Sequence, residues 1–90
     1  MNDDDELSVA HKLIAAALGI PVPRAADLKK IYDVPEWDSE GQLNIVLALE
    51  ESTGRDIKDE EIFERLTIVG EIARFISDAK RENESEKRRS

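Results

Sequence analysis

Residues 34–51 read VPEWDSEGQLNIVLALEE, from Val34 to Glu51. A proline, a tryptophan and an Asp-Ser pair lead into a run with apolar residues at Leu43, Val46, Leu47 and Leu49. That spacing follows the turn of an α-helix and not the alternation of a strand. The helix is predicted from Ser39 to Thr53, with Gly54 as its C-terminal stop. Leu43, Val46 and Leu49 mark the expected buried ridge. Serine is a favoured N-cap, and Ser39 with Gln42 fits an S-x-x-Q capping box; Asp38 is the other candidate cap. Whether Ser39 only caps this helix or also carries something is the question on which function turns.

The rest of the chain supplies partners for that helix. Leu7, Ala10, Ile14, Ala17 and Leu18 recur at helical spacing, widened by Val9 and Leu13, and predict a first helix over about residues 6–19. The acids from Asp3 to Glu6 suit the positive end of its dipole. Gly19, Pro21 and Pro23 are read as its stop. Residues 20–38 then form a long connection that carries Val22, Leu28, Ile31, Tyr32, Val34 and Trp37, so it is expected to pack over the core, with a short turn near AADLKKIY. Trp37 is expected to pin this loop to the helices. A short helix over about 59–65 should bury Ile62 and Phe63. Thr67 is placed as the cap of a last helix over 67–79, with Val69, Ile72, Ala73 and Ile76 on one face. Residues 80–90 contain no apolar side chain and are expected as a charged tail, a frayed helical extension or disordered. The fold class is therefore all-α: a four-helix bundle, its third helix short, with a long loop between helices one and two. Residues 1–79 form the domain and residues 80–90 the tail.

Composition narrows the function. A chain of 90 residues supports one domain with one modest core, here mainly aliphatic because aromatics are only 4%. A formal charge of −8 repels phosphate backbones, so nucleic acid is not an expected partner. There is no cysteine and a single histidine, which removes disulfides and thiolate chemistry and argues against a zinc site or a Ser-His-Asp arrangement. The run Asp3-Asp4-Asp5-Glu6 lacks the ligand spacing of a calcium loop, and no metal site is expected. The acidic start is unlike a signal peptide, and no apolar run approaches a membrane span. A cytoplasmic monomer without membrane insertion is the expectation.

The segments DVPEWDSEGQLNIVLALEESTG and DEEIFERLTIVGEIARFI, over roughly residues 31–77, resemble the acyl carrier proteins, especially free-standing ones. In that family an Asp-Ser pair followed by Leu or Met opens the second helix of a four-helix bundle. The resemblance implies that Ser39, after Asp38, carries 4'-phosphopantetheine, added from coenzyme A by a separate phosphopantetheinyl transferase. It implies an acyl group held as a thioester on that arm and delivered to partner enzymes of fatty acid, lipid or polyketide biosynthesis. The chemistry then resides in the arm, and the chain is not expected to be an enzyme. Acyl-loading and acyl-transferring enzymes with basic docking surfaces are the implied partners, meeting Glu40, Asn44, Leu47, Glu50, Glu51 and Glu60 on helix two and beyond. Ala15, Ala16, Ala17 and Ala48 are candidates for leaving room for an acyl chain between helices. Two alternatives stand beside this reading: an aminoacyl or peptidyl carrier, and an unmodified acidic helical adaptor in which Ser39 is only a cap.

Glu40 departs from the family pattern, which has Leu or Met there. An acid in the first turn stabilises the helix by ~0.3–1 kcal/mol. Its repulsion of a phosphate ~7 Å away is about 0.6 kcal/mol in water, too little to forbid modification. Loss of a leucine contact with a partner forfeits roughly 2 kcal/mol, about thirtyfold in affinity. The expectation is a specialised carrier with dedicated partners.

Overall fold

A computed structural model describes the backbone of residues 3–89 and the side chains of residues 6–82. The protein is all-α, with helices α1 (Asp3–Leu18), α2 (Val22–Ala25), α3 (Ser39–Thr53), α4 (Glu60–Arg65) and α5 (Val69–Arg89). That is five helical elements where the sequence predicts four. The added one, α2, is a single turn in the long connection. Pro21 is its N-cap and Pro23 lies in its first turn, a position that suits proline because the missing N–H has no intrahelical partner there. The two prolines thus start a second helix as well as ending the first.

α1 closes at Gly19, which is left-handed at φ 71°, and the Ile20 N–H returns to the Ala15 carbonyl at 3.0 Å. Ala10 and Ile14 of α1 are fully buried. Leu7 and Val9 are exposed, so the buried stripe is narrower than the periodicity predicts. α1 packs against α2, α3 and α5. The core joins Ile14, Trp37, Ile45, Leu49, Leu66 and Ile72.

α3 begins and ends where the sequence predicts, and Gly54 closes it at φ 73° with its N–H on the Glu50 carbonyl. Its inward face is different. Gln42, Ile45, Val46 and Leu49 are buried, while Leu43 is 48% exposed. Ile62 and Phe63 of α4 are partly buried against the core. Thr67 does not cap α5; its hydroxyl donates to the Glu64 carbonyl at 2.7 Å and so finishes α4. Ile68 instead supplies the carbonyl that accepts from the Glu71 and Ile72 N–H groups. α5 buries Val69, Ile72, Ile76 and Ala79. It continues through Arg89, so the 80–90 segment extends the helix over nearly its full length.

The connection from α2 to α3 is fastened at both sides. The Ile31 N–H donates to the Thr67 carbonyl at 2.8 Å and the Val69 N–H to the Lys29 carbonyl at 2.9 Å, forming one antiparallel bridge between Lys30 and Ile68. Arg24 donates to both carboxylate oxygens of Glu36, each at 3.2 Å. No strand forms among the described residues.

Candidate functional site

Ser39 is the first residue of α3, and it is exposed. The cap before it is Asp38, whose backbone is extended at φ −105° and whose Oδ1 accepts from the Gly41 N–H at 2.9 Å. The Asp38 carbonyl accepts the first intrahelical bond, from the Gln42 N–H at 2.8 Å. The capping-box reading of Ser39 and Gln42 is therefore corrected. Ser39 Oγ takes no part in closing the helix and is free to face solvent. Its hydrogen-bond partner is the Tyr32 hydroxyl, 3.4 Å away.

Gln42 does something the box did not foresee. Its side chain is buried and bridges three segments. Oε1 accepts from Trp37 Nε1 at 2.8 Å, and Nε2 donates to the Leu66 carbonyl at 3.1 Å and the Phe63 carbonyl at 3.4 Å. Trp37 is fully buried, and through this bond it pins the loop to α3, as expected of it. A buried amide that satisfies an indole N–H and a helix-end carbonyl fixes the direction in which α3 starts.

Gly41 lets the loop approach. A Cβ there would lie 2.3 Å from the Glu36 carbonyl oxygen and 2.8 Å from Leu18 Cδ2. The backbone just before Ser39 thus rests directly on the first turn of α3.

The loop itself is locally braced. Asp33 accepts from the Lys29 N–H at 2.8 Å and the Lys30 N–H at 3.1 Å. These two backbone bonds hold the Asp33 carboxyl below its usual pKa. Tyr32 donates its N–H to the Trp37 carbonyl at 2.8 Å and sits in the left-handed region at φ 75°.

Of the residues expected to face partners, Glu40, Asn44, Leu47 and Glu51 are exposed and follow one another at helical spacing along α3. Leu47 is 53% exposed, and Leu43 joins it in place of the buried role predicted for it. Glu60 is exposed at the start of α4. Glu50 is half-buried, and its carboxylate is engaged within the fold, accepting from the Ile57 N–H at 2.7 Å. It braces the α3–α4 connection rather than standing free. Ala16 and Ala48 line an open groove of about 390 Å³ between α1 and α3, whereas Ala15 is packed in the core.

The sequence does not foresee the close approach at Gly41; Tyr32 lies exposed instead of packing over the core with its loop, and Gln42 takes Trp37, Leu66 and Phe63 as partners in place of Ser39. Only Gly41 carried a visible signal, a glycine inside a helical pattern, which costs stability unless something must come close. Among the described residues no cluster of His, Cys, Asp or Glu is arranged to hold a metal ion, and no helix is long and apolar enough to cross a membrane. The side chains of Asp3, Asp4 and Asp5 lie outside the described residues. Ser39 presents an exposed hydroxyl at the head of α3, where backbone N–H groups without intrahelical partners favour an anion. No protein-family model, no curated protein and no solved structure matches this chain.

Proposed function

We propose that this protein is an acyl carrier, with 4'-phosphopantetheine attached to Ser39 and an acyl group carried as a thioester on that arm. The observation that supports it most is the division of labour at the start of α3. Asp38 does the capping, and the Ser39 hydroxyl is exposed and unused by the helix. In this reading α1, α3, α4 and α5 are the four helices of the acyl-carrier bundle, and α2 is a turn within its long loop.

The group is installed by a phosphopantetheinyl transferase. The Ser39 Oγ–P bond forms, the phosphoanhydride bond of coenzyme A breaks, adenosine 3',5'-bisphosphate leaves, and the seryl proton passes to a base on the transferase. The residues present fit the group: Ser39 offers the hydroxyl, and Asp38 holds the first turn in place without covering it. The bound arm supplies the thiol that holds cargo. The chain's own part is to present the arm and to be recognised. Glu40, Asn44, Leu47 and Glu51 offer an acidic, partly apolar face to loading and transferring enzymes with basic surfaces. The carrier works as a cytoplasmic monomer without nucleic acid.

Intact-mass analysis after incubation with coenzyme A and a transferase is the test. Wild type should gain the mass of one phosphopantetheine and Ser39→Ala none, both with a broad-range transferase and with those of the native host. A wild-type protein that remains unmodified with all of them, and is unmodified when purified from that host, would favour an adaptor in which Ser39 is only structural. Glu40→Leu should be modified faster by the broad-range enzyme; an unchanged or slower rate would remove the case for a specialised partner notch.

A further inference from the structure

We infer that Tyr32 is a positioning residue for the group on Ser39, its phenol donating a hydrogen bond to the phosphodiester and holding the root of the arm against α3. The inference rests on the reading of Ser39 as the attachment point. Its observations are those of the α2–α3 connection.

Tyr32 is left-handed at φ 75°, a backbone region that bulky side chains rarely adopt. Three backbone bonds hold it there. Ile31 N–H donates to the Thr67 carbonyl at 2.8 Å, Tyr32 N–H to the Trp37 carbonyl at 2.8 Å, and Asp33 N–H to the Lys30 carbonyl at 3.2 Å. Glycine takes this conformation without strain. The tyrosine side chain does not repay the strain by packing, because the residue is 67% exposed. What the side chain does reach is Ser39 Oγ, 3.4 Å from its hydroxyl. Strain held by surrounding structure at an exposed residue, and aimed at a reactive oxygen, is the pattern of a functional position.

The chemistry of esterification gives that contact a direction. The Ser39 hydroxyl can donate or accept, so in the unmodified protein either partner supplies the hydrogen. Once Oγ is bonded to phosphorus it has no proton, and only the phenolic hydrogen remains to bridge the pair. The non-bridging oxygens beside it carry the negative charge, and a hydrogen bond to an ionised acceptor is shorter and stronger than one to a neutral oxygen. The neighbouring side chains are poor substitutes. The Asp38 carboxylate already accepts from the Gly41 N–H, and Glu40 is another acceptor. Tyr32 offers a phenolic donor to a serine that stands between two acids in the sequence, Asp38 and Glu40.

The sole tyrosine of the chain makes this measurable. Wild type and Tyr32→Phe are converted with coenzyme A and a transferase, conversion is confirmed by mass, and the ³¹P resonance of the phosphodiester is recorded in each. The resonance should move in Tyr32→Phe, with relaxation showing a freer phosphorus. In wild type labelled at the tyrosine ζ-carbon, the single ¹³C resonance should shift on conversion. Tyr32→Gly should keep a thermal midpoint at or above wild type and show the ³¹P behaviour of the phenylalanine variant. Coincident ³¹P signals and an unmoved ζ-carbon in fully modified protein would overturn the role of Tyr32 alone. A Tyr32→Gly midpoint well below wild type would make the ring structural and count against it. Wild type that gains no mass would instead reject the carrier reading, and this inference with it.

Discussion

At Gly41 one absent methyl group sets how the loop meets α3. Alanine is the better helix former by roughly 0.5–1 kcal/mol. Here the gain is outweighed, because a Cβ would lie 2.3 Å from a backbone carbonyl, that of Glu36, and backbone cannot swing aside as a flexible side chain can. Overpacking of this kind costs about 1–3 kcal/mol. Gly41→Ala should therefore destabilise the protein by about 1–2 kcal/mol in urea denaturation. Gly70→Ala is the control. It too stands in a helix, but nothing lies within 4 Å of its added Cβ, and it should be neutral or stabilising by up to about 1 kcal/mol. Equal losses in the two variants would mean that the loop does not rest on the helix as described. The same neighbourhood shows the limit of motif reading. Asp-Ser-x-x-Gln contains two sound capping candidates, and nothing in propensity chooses between them. The structure gives the cap to Asp38 and leaves the serine hydroxyl outside it.

Along α3 the ends were legible and the inward face was not. Gly54 and the Asp-Ser pair are strong punctuation, and both boundaries fall where they imply. The face was ambiguous because apolar residues occupy positions 43, 45, 46, 47 and 49, more than one side of a helix can hide. Period alone cannot rank the Leu43 and Leu47 side against the Ile45, Val46 and Leu49 side. The choice follows from Gln42, a polar residue that a hydrophobic pattern places outside but that the tryptophan indole and the α4 carbonyls bring inside. Turning α3 to bury Leu43 would give up those bonds. Gln42→Leu is therefore expected to destabilise despite being more apolar. It leaves the Trp37 N–H and the Leu66 carbonyl without their partner, at about 1–3 kcal/mol for each group left unpaired. A total loss of about 2–4 kcal/mol should appear in urea denaturation. Fluorescence of the single tryptophan should shift with the loss of its hydrogen bond and looser packing. A variant as stable as wild type, with unchanged fluorescence, would show that apolar burial and not this bridge orients the helix. The consequence for the proposed function is direct, since the orientation that buries Gln42 leaves Glu40, Leu43 and Leu47 exposed on the helix that Ser39 opens.

The long axis of the protein, 44 Å against 29 and 17 Å, accommodates α5, whose 21 residues span about 31 Å. Packing and helix length do not end together. The last described residue in the buried set is Ala79, at 2% exposure, and from residue 80 onward the sequence has no apolar side chain. The sequence made the end of the core legible but left helix against coil open, because exposed charged residues such as Lys, Arg and Glu are also good helix formers. Within α5, Arg81 pairs with Asp78 at 3.4 Å, and a tie from the α3–α4 connection also reaches beyond Ala79. Arg55 pairs with Glu82 while its guanidinium lies over the Phe75 ring, 5.8 Å from the centroid. An exposed pair of this kind contributes ~0–1 kcal/mol. Two truncations separate these contributions. A chain ending at Glu82 keeps both Ala79 and the Arg55 pair, and its unfolding free energy from urea denaturation should stay within about 0.5 kcal/mol of wild type. A chain ending at Asp78 loses the buried alanine, the pair and the last packed turn together, and should lose on the order of 1–3 kcal/mol. If the shorter deletion already destabilised the protein by more than about 1 kcal/mol, the core would extend past Ala79. In the acyl-carrier reading, a neutral deletion to Glu82 should also leave the mass gain at Ser39 intact, because Asp38, Gly41 and Gln42 fix the attachment site through the loop and the first turn of α3 without help from the end of α5.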